Sequence, residues 1–127
     1  MQWLTDGVLL WELIKMYQPR IITACPDVLD GSVVVANSIT GKYNWIEREL
    51  GQPFANDAII CPYGDKSRFA RSDRILIDDT PHNIDSWVNA GGIGILHRNI
   101  KDTACQLREY GIYPVIDLTC SKSKWCA

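Results

Sequence analysis

The sequence lacks any apolar run near the roughly 20 residues that a membrane helix needs. Its longest apolar stretches, Val8 to Leu10 and Ser32 to Ala36, are only a few residues each. It also lacks an excess of either charge, with 13 Lys and Arg against 15 Asp and Glu for a formal charge of -2. No basic field is therefore present to hold a nucleic-acid backbone by counterion release. Met1-Gln2-Trp3 offers no basic leader region and Asp6 interrupts the apolar residues after it, so no secretory signal is read. The five cysteines, Cys25, Cys61, Cys105, Cys120 and Cys126, are odd in number and form no C-x-x-C pair. Such spacing implies neither a disulfide framework nor a zinc ribbon. Reduced thiols in the cytoplasm are expected, with no nucleic acid and no membrane as partner.

Hydrophobic residues make up 46% of the 127 and charged ones 22%, a balance suited to one domain with a core of its own. Four short apolar runs set the order: Arg20 to Cys25, Ala58 to Cys61, Arg74 to Ile77 and Ile93 to His97. Each is followed by a segment of helical periodicity, which argues for a largely parallel sheet with helices on its faces. Ahead of them, Thr5 or Asp6 can cap a helix with apolar positions Leu9, Leu10, Leu13, Ile14 and Tyr17, which Pro19 must end. Further helices are expected around Tyr43, Trp45, Ile46 and Leu50, closing at Gly51, and over Lys66–Ala70, Pro81–Ala90 and Ile100–Tyr110. Val115 to Leu118 forms a fifth apolar run. The expectation is one α/β domain over 1–127, a three-layer Rossmann-like core with a mainly parallel sheet of about five strands. No repeat or linker divides it.

The most specific feature is Arg74-Ile-Leu-Ile-Asp78-Asp79-Thr-Pro-His-Asn, a buried strand ending in two adjacent carboxylates. Open α/β sheets bind ligands at that carboxyl edge. Adjacent like charges are costly unless a cation offsets them, and Mg²⁺ takes hard oxygen ligands of this type. The plainer reading is that one Asp caps the next helix and the other is solvated. Thr23, at the end of the first strand, and Lys66, after the second, would lie on the same edge. Together with Asp78 they would outline a phosphate and metal pocket.

These residues carry a resemblance. Ile21-Ile-Thr23-Ala, Lys42-x-x-Trp45-Ile with Leu50-Gly51, Lys66-Ser, and Ile75-Leu-Ile-Asp78-Asp79 with Asn83 and Trp87 resemble, in that order, the haloacid dehalogenase superfamily. The likeness is greatest to its small deoxyribonucleotidase-like and phage-type phosphatases, and it runs from about Thr5 to His97. It implies a Mg²⁺-dependent phosphatase-type fold acting on small phosphorylated molecules, nucleotides among them. By this resemblance Thr23 would hydrogen-bond a phosphoryl oxygen, Lys66 would neutralise phosphate and nucleophile, Asp78 would be the direct Mg²⁺ ligand, and Asp79 would support it. Such roles suit phosphoryl transfer, which is catalysed by positioning and by charge neutralisation.

The same resemblance exposes a departure. The family opens with an apolar strand ending Asp-x-Asp-Gly-Thr, which supplies the nucleophile, and no such strand precedes Thr23 here. Asp27-Val-Leu-Asp30-Gly-Ser32 has acids three apart and reads as a loop with a turn at Asp30-Gly31. In the family the absent strand lies between those of Thr23 and Asp78, and buried backbone does not tolerate an unpaired gap. One candidate is Pro114-Val-Ile-Asp117-Leu-Thr119, whose Asp-x-Thr order is similar to the phosphorylated segment of the related P-type ATPases. Asp117 would then be the nucleophile in a permuted arrangement. The other reading makes this an edge strand beside Ile93–His97, because strands adjacent in sequence usually neighbour each other in space. The central position would then be filled by a second copy, a partner chain or a rearrangement, or the chain would be a truncated product. Three functions stay open: a weak phosphatase, a non-catalytic binding module, and a half-domain that works on pairing. No insertion between Thr23 and Asp78 is long enough for a cap domain.

Other conspicuous residues read as structural. His82 is expected to be a solvated residue at a helix start, and His97 no metal ligand, since no His or Cys lies at ligand spacing. Trp3, Trp11, Trp45 and Trp87 are expected as core anchors. Gly91-Gly92-x-Gly94 reads as the turn into a strand, not a dinucleotide fingerprint.

Overall fold

The computed structural model describes residues 7–25 and 33–112. The chain is mixed α/β there, with helices α1 (Gly7–Ile14), α2 (Val33–Leu50), α3 (Gln52–Asp57), α4 (Pro81–Asn89) and α5 (Ile100–Glu109). Strands β1 (Ile22–Cys25), β2 (Ile59–Pro62), β3 (Ile75–Asp78) and β4 (Ile93–Leu96) alternate with them, and short 3₁₀ turns cover Lys15–Tyr17 and Lys66–Phe69. All four expected apolar runs are strands, each four residues long. Among the described residues the strands form two parallel pairs, β1 with β2 and β3 with β4, and a single sheet of about five strands is not shown there. Val115–Leu118 and the loop around Asp27 and Asp30 lie outside the described residues, as do Trp3 and the proposed caps Thr5 and Asp6.

Local chemistry accounts for most boundaries. Gly51 ends α2 with φ of 110°, a backbone conformation that only glycine adopts without strain. Its N–H closes the helix on the carbonyls of Ile46 and Glu47. Sequence periodicity gives no sign of α3, a six-residue helix with Pro53 in its first turn, because so short a segment completes fewer than two turns. Trp11 and Leu13 are the buried residues of α1, whereas Leu9 and Tyr17, expected inward, are exposed. The helix turns into the 3₁₀ segment at Lys15, and that tightening rotates Tyr17 off the apolar stripe.

Two apolar clusters hold the pairs. Ile46 of α2 is 1% exposed and packs with Ala55 and Ala58, flanked by Ile21, Trp45, Leu50 and Phe54. Leu76, Ile84, Trp87 and Ala70 form the other, against which Ile22 of β1 also packs. Trp11 meets Phe54 edge to face at 4.7 Å, which ties α1 to α3. His97, buried after β4, shares a 2.6 Å hydrogen bond between Nδ1 and Thr103 Oγ1 that fastens α5 to the strand.

Gly94 lets α4 lie close against β4. A Cβ there would sit 2.8 Å from Ile84 Cγ2 and 2.9 Å from Val88 Cγ2. Overpacking of this kind costs about 1–3 kcal/mol, only part of which the stiffer backbone of alanine offsets. Gly94→Ala should therefore lower the unfolding free energy by about 1–2 kcal/mol, read as an earlier urea midpoint at unchanged slope.

Candidate functional site

Asp78 is the last residue of β3, so its side chain emerges where the strand gives way to the turn into α4. Lys66 opens the 3₁₀ turn that comes after β2. Their side chains meet, Lys66 Nζ to Asp78 Oδ2 at 2.7 Å, with only 15% and 7% of each exposed. This contact joins the carboxyl ends of β2 and β3, so the two parallel pairs share that edge. Asp78 Oδ1 accepts a hydrogen bond from the Thr80 backbone N–H at 2.9 Å, and Oδ2 accepts a second from Asn83 Nδ2 at 3.2 Å. Asn83 reaches back from the first turn of α4.

Burial by itself would push the Asp78 carboxyl above its ordinary range. That is the largest single effect, but the Lys66 hydrogen bond, the Thr80 N–H, the Lys66 charge and the Asn83 amide together outweigh it, and the net pKa is lowered. Asp78 is therefore an anion at neutral pH with both oxygens already engaged.

Thr23 lies in β1, half-buried, and its Oγ1 accepts a hydrogen bond from Lys42 Nζ of α2 at 3.2 Å. With a lone pair so occupied, the hydroxyl proton is left to donate elsewhere. Asp79 is exposed and accepts a long 3.4 Å bond from Thr80 Oγ1. Neither Asp caps α4 through its side chain, since Thr80 holds the N-cap position. Asp117 lies outside the described residues. His82 is exposed on α4. Two contributors, Lys42 and Asn83, have no role assigned by the sequence. Both belong to its motif pattern only, because a contact from α2 back to β1 across 19 residues leaves no periodic trace.

Among the described residues no group of three or more His, Cys, Asp or Glu is placed to hold a metal ion. Asp78 with Asp79 alone does not make an Mg²⁺ cage, because the first spends its oxygens on Lys66, Thr80 and Asn83. The described part of the site is thus a set of donors around one anchored carboxylate, with cations from two elements. Its cations and hydroxyl suit an oxyanion, and of its two carboxylates Asp78 is engaged at both oxygens while Asp79 is exposed. Comparison with family models, with curated proteins and with solved structures finds no match.

The ion pair makes an acid-side prediction. A carboxyl whose folded pKa is lowered contributes stability above its unfolded pKa of about 3.9 and loses it as pH falls through the folded value. Asp78→Asn should cost about 3 kcal/mol at pH 7, because it strands Lys66 in a largely buried position. The gap between variant and wild type should narrow below about pH 4 in denaturant titrations. A gap that stays constant down to about pH 2 would mean that Asp78 adds nothing as an anion.

Proposed function

We propose that this chain is a phosphatase-type protein of the haloacid dehalogenase kind, built on a three-layer Rossmann-like core. In this reading it binds small phosphomonoesters, nucleotides among them, by their phosphoryl group. The observation that carries the reading is the Lys66–Asp78 pair at the shared carboxyl edge, fixed by Thr80 and Asn83. Thr23 donates its hydroxyl proton to a phosphoryl oxygen, and Lys42 keeps that hydroxyl in the donor sense. Lys66 offsets phosphate charge and is itself held in place by Asp78. Such preorganised donors and cations are what phosphoryl transfer demands of a protein.

The resemblance would give Mg²⁺ to Asp78 with Asp79 in support, but the Asp78 oxygens are engaged by Lys66, Thr80 and Asn83, so the described residues do not fit that ion. Those two acids alone are an incomplete set, so the isolated chain should bind Mg²⁺ weakly. The second reading, a non-catalytic or partner-dependent module, is favoured by one specific observation: Asp78 spends both oxygens on Lys66, Thr80 and Asn83 and is not free to attack. Asp117 is the residue of this chain proposed for that role.

Two measurements test the reading together. Inorganic phosphate should bind in titration calorimetry, weakened at least tenfold by Lys66→Met and several-fold by Thr23→Val. Turnover of p-nitrophenyl phosphate and deoxynucleoside monophosphates with Mg²⁺ should be slow or absent, and any turnover should vanish in Asp117→Asn. Phosphate binding indifferent to Lys66→Met would sink the site assignment, and brisk turnover surviving Asp117→Asn would show the nucleophile to be elsewhere.

A further inference from the structure

The chain turns sharply between the last residue of β2, Pro62, and Lys66. The Asp65 N–H bonds to the Pro62 carbonyl at 3.1 Å, and Gly64, third of those four residues, has φ of 86°. A positive φ at that position defines a tight turn that glycine makes without strain. A Cβ built on Gly64 would meet nothing within 4 Å, so the glycine serves the turn and not a packing contact. The Arg68 N–H bonds to the Asp65 carbonyl, which runs the turn straight into the 3₁₀ segment that Lys66 opens. Tyr63, second residue of the turn, therefore stands on a fixed backbone at the carboxyl end of β2.

Tyr63 is 69% exposed, the barest large hydrophobic side chain among the described residues, and it has no hydrogen-bond or ring partner there. The other exposed tyrosines belong to helical segments: Tyr17 to the 3₁₀ turn after α1, Tyr43 to α2 and Tyr110 to the cap of α5. A single exposed ring is ordinary. What distinguishes this one is its place, three residues before Lys66. Three residues span at most about 10 Å, a reach that a nucleoside monophosphate covers between its phosphorus and its base. Lys66 is recessed, with 15% of its side chain exposed, while Tyr63 projects. The inner end of the site thus suits a charged group and the outer end a flat ring.

We propose that Tyr63 is the specificity-determining residue of this site, its ring stacking on the base of a nucleoside monophosphate whose phosphoryl group lies at Lys66. The inference rests on the phosphatase-type reading of Lys66 and narrows it from phosphomonoesters in general to those that carry a flat ring. Every base has a π face, so stacking on an aromatic side chain selects nucleotides without choosing among their bases. The phenol hydroxyl takes no part in that contact, and phenylalanine serves equally.

The test is titration calorimetry of the full chain with thymidine monophosphate, glycerol phosphate and inorganic phosphate. Thymidine monophosphate should bind about tenfold tighter than the ring-free glycerol phosphate. Tyr63→Ala should bring that ratio to about one, and Tyr63→Phe should keep it. In proton NMR spectra the Tyr63 ring signals should shift with thymidine monophosphate and stay in place with inorganic phosphate. A ratio near one in the wild type overturns the proposal, as does a preference that survives Tyr63→Ala. Ring signals that stay in place at saturating thymidine monophosphate overturn it too. The two failures are told apart by inorganic phosphate. If none of the three ligands binds, the Lys66 reading fails and takes the proposal with it; if inorganic phosphate binds and no preference is seen, the Lys66 reading stands and the stacking assignment alone falls.

Discussion

Two strand pairs that share no ladder among the described residues are joined at their carboxyl edge by the Lys66–Asp78 ion pair. A buried ion pair of this kind contributes little net stability, because desolvation consumes much of the Coulomb gain. Its worth lies in direction: it fixes where the end of β2 meets the end of β3. Thr80 and Asn83 hold the carboxylate from the α4 side, so the turn after β3, the start of α4 and the 3₁₀ turn after β2 are set by one anion. Ile22, packed against Leu76 and Trp87, is the apolar counterpart of that polar tie.

Between tie and cluster lies a cavity lined by Ile21 and Ile22 on the β1 side and by Ile75, Leu76 and Ile77 on the β3 side, with Leu10 and Ile14 of α1 and Trp87 of α4 completing its apolar wall. Its lining is apolar apart from Arg20 and Arg74, whose side chains donate to the Asp57 and Phe69 carbonyls. The Lys66–Asp78 pair stands apart from this apolar space, at the carboxyl ends of β2 and β3.

Helix placement near β4 has a different logic. The His97–Thr103 hydrogen bond satisfies two buried polar side chains with each other, and Asn99 caps α5 by accepting from the Asp102 N–H at 2.8 Å. Gly94 and Trp87 set the spacing of α4 on the strands, the first by having no side chain and the second by filling the space and donating to the Arg74 carbonyl at 3.3 Å. None of these residues belongs to the site, yet α4 carries Asn83, and its seating decides whether that amide reaches Asp78.

The sequence by itself determined the alternation of short apolar runs with helical segments, the glycine stop after α2, and the carboxylates at the end of β3. These are local properties, written in periods of a few residues and in the backbone freedom of single glycines. It also made Thr23 and Lys66 candidates, since each falls at or after a strand of predictable direction. Only the tertiary structure decided that the strands stand as two pairs with a groove between them, because strand pairing depends on contacts among residues far apart in the chain. The capture of Asp78 by Lys66 and Asn83, and of the Thr23 hydroxyl by Lys42, is likewise set by how α2 and α4 pack. Side-chain reach across elements is a property of that packing, and no spacing along the chain encodes it.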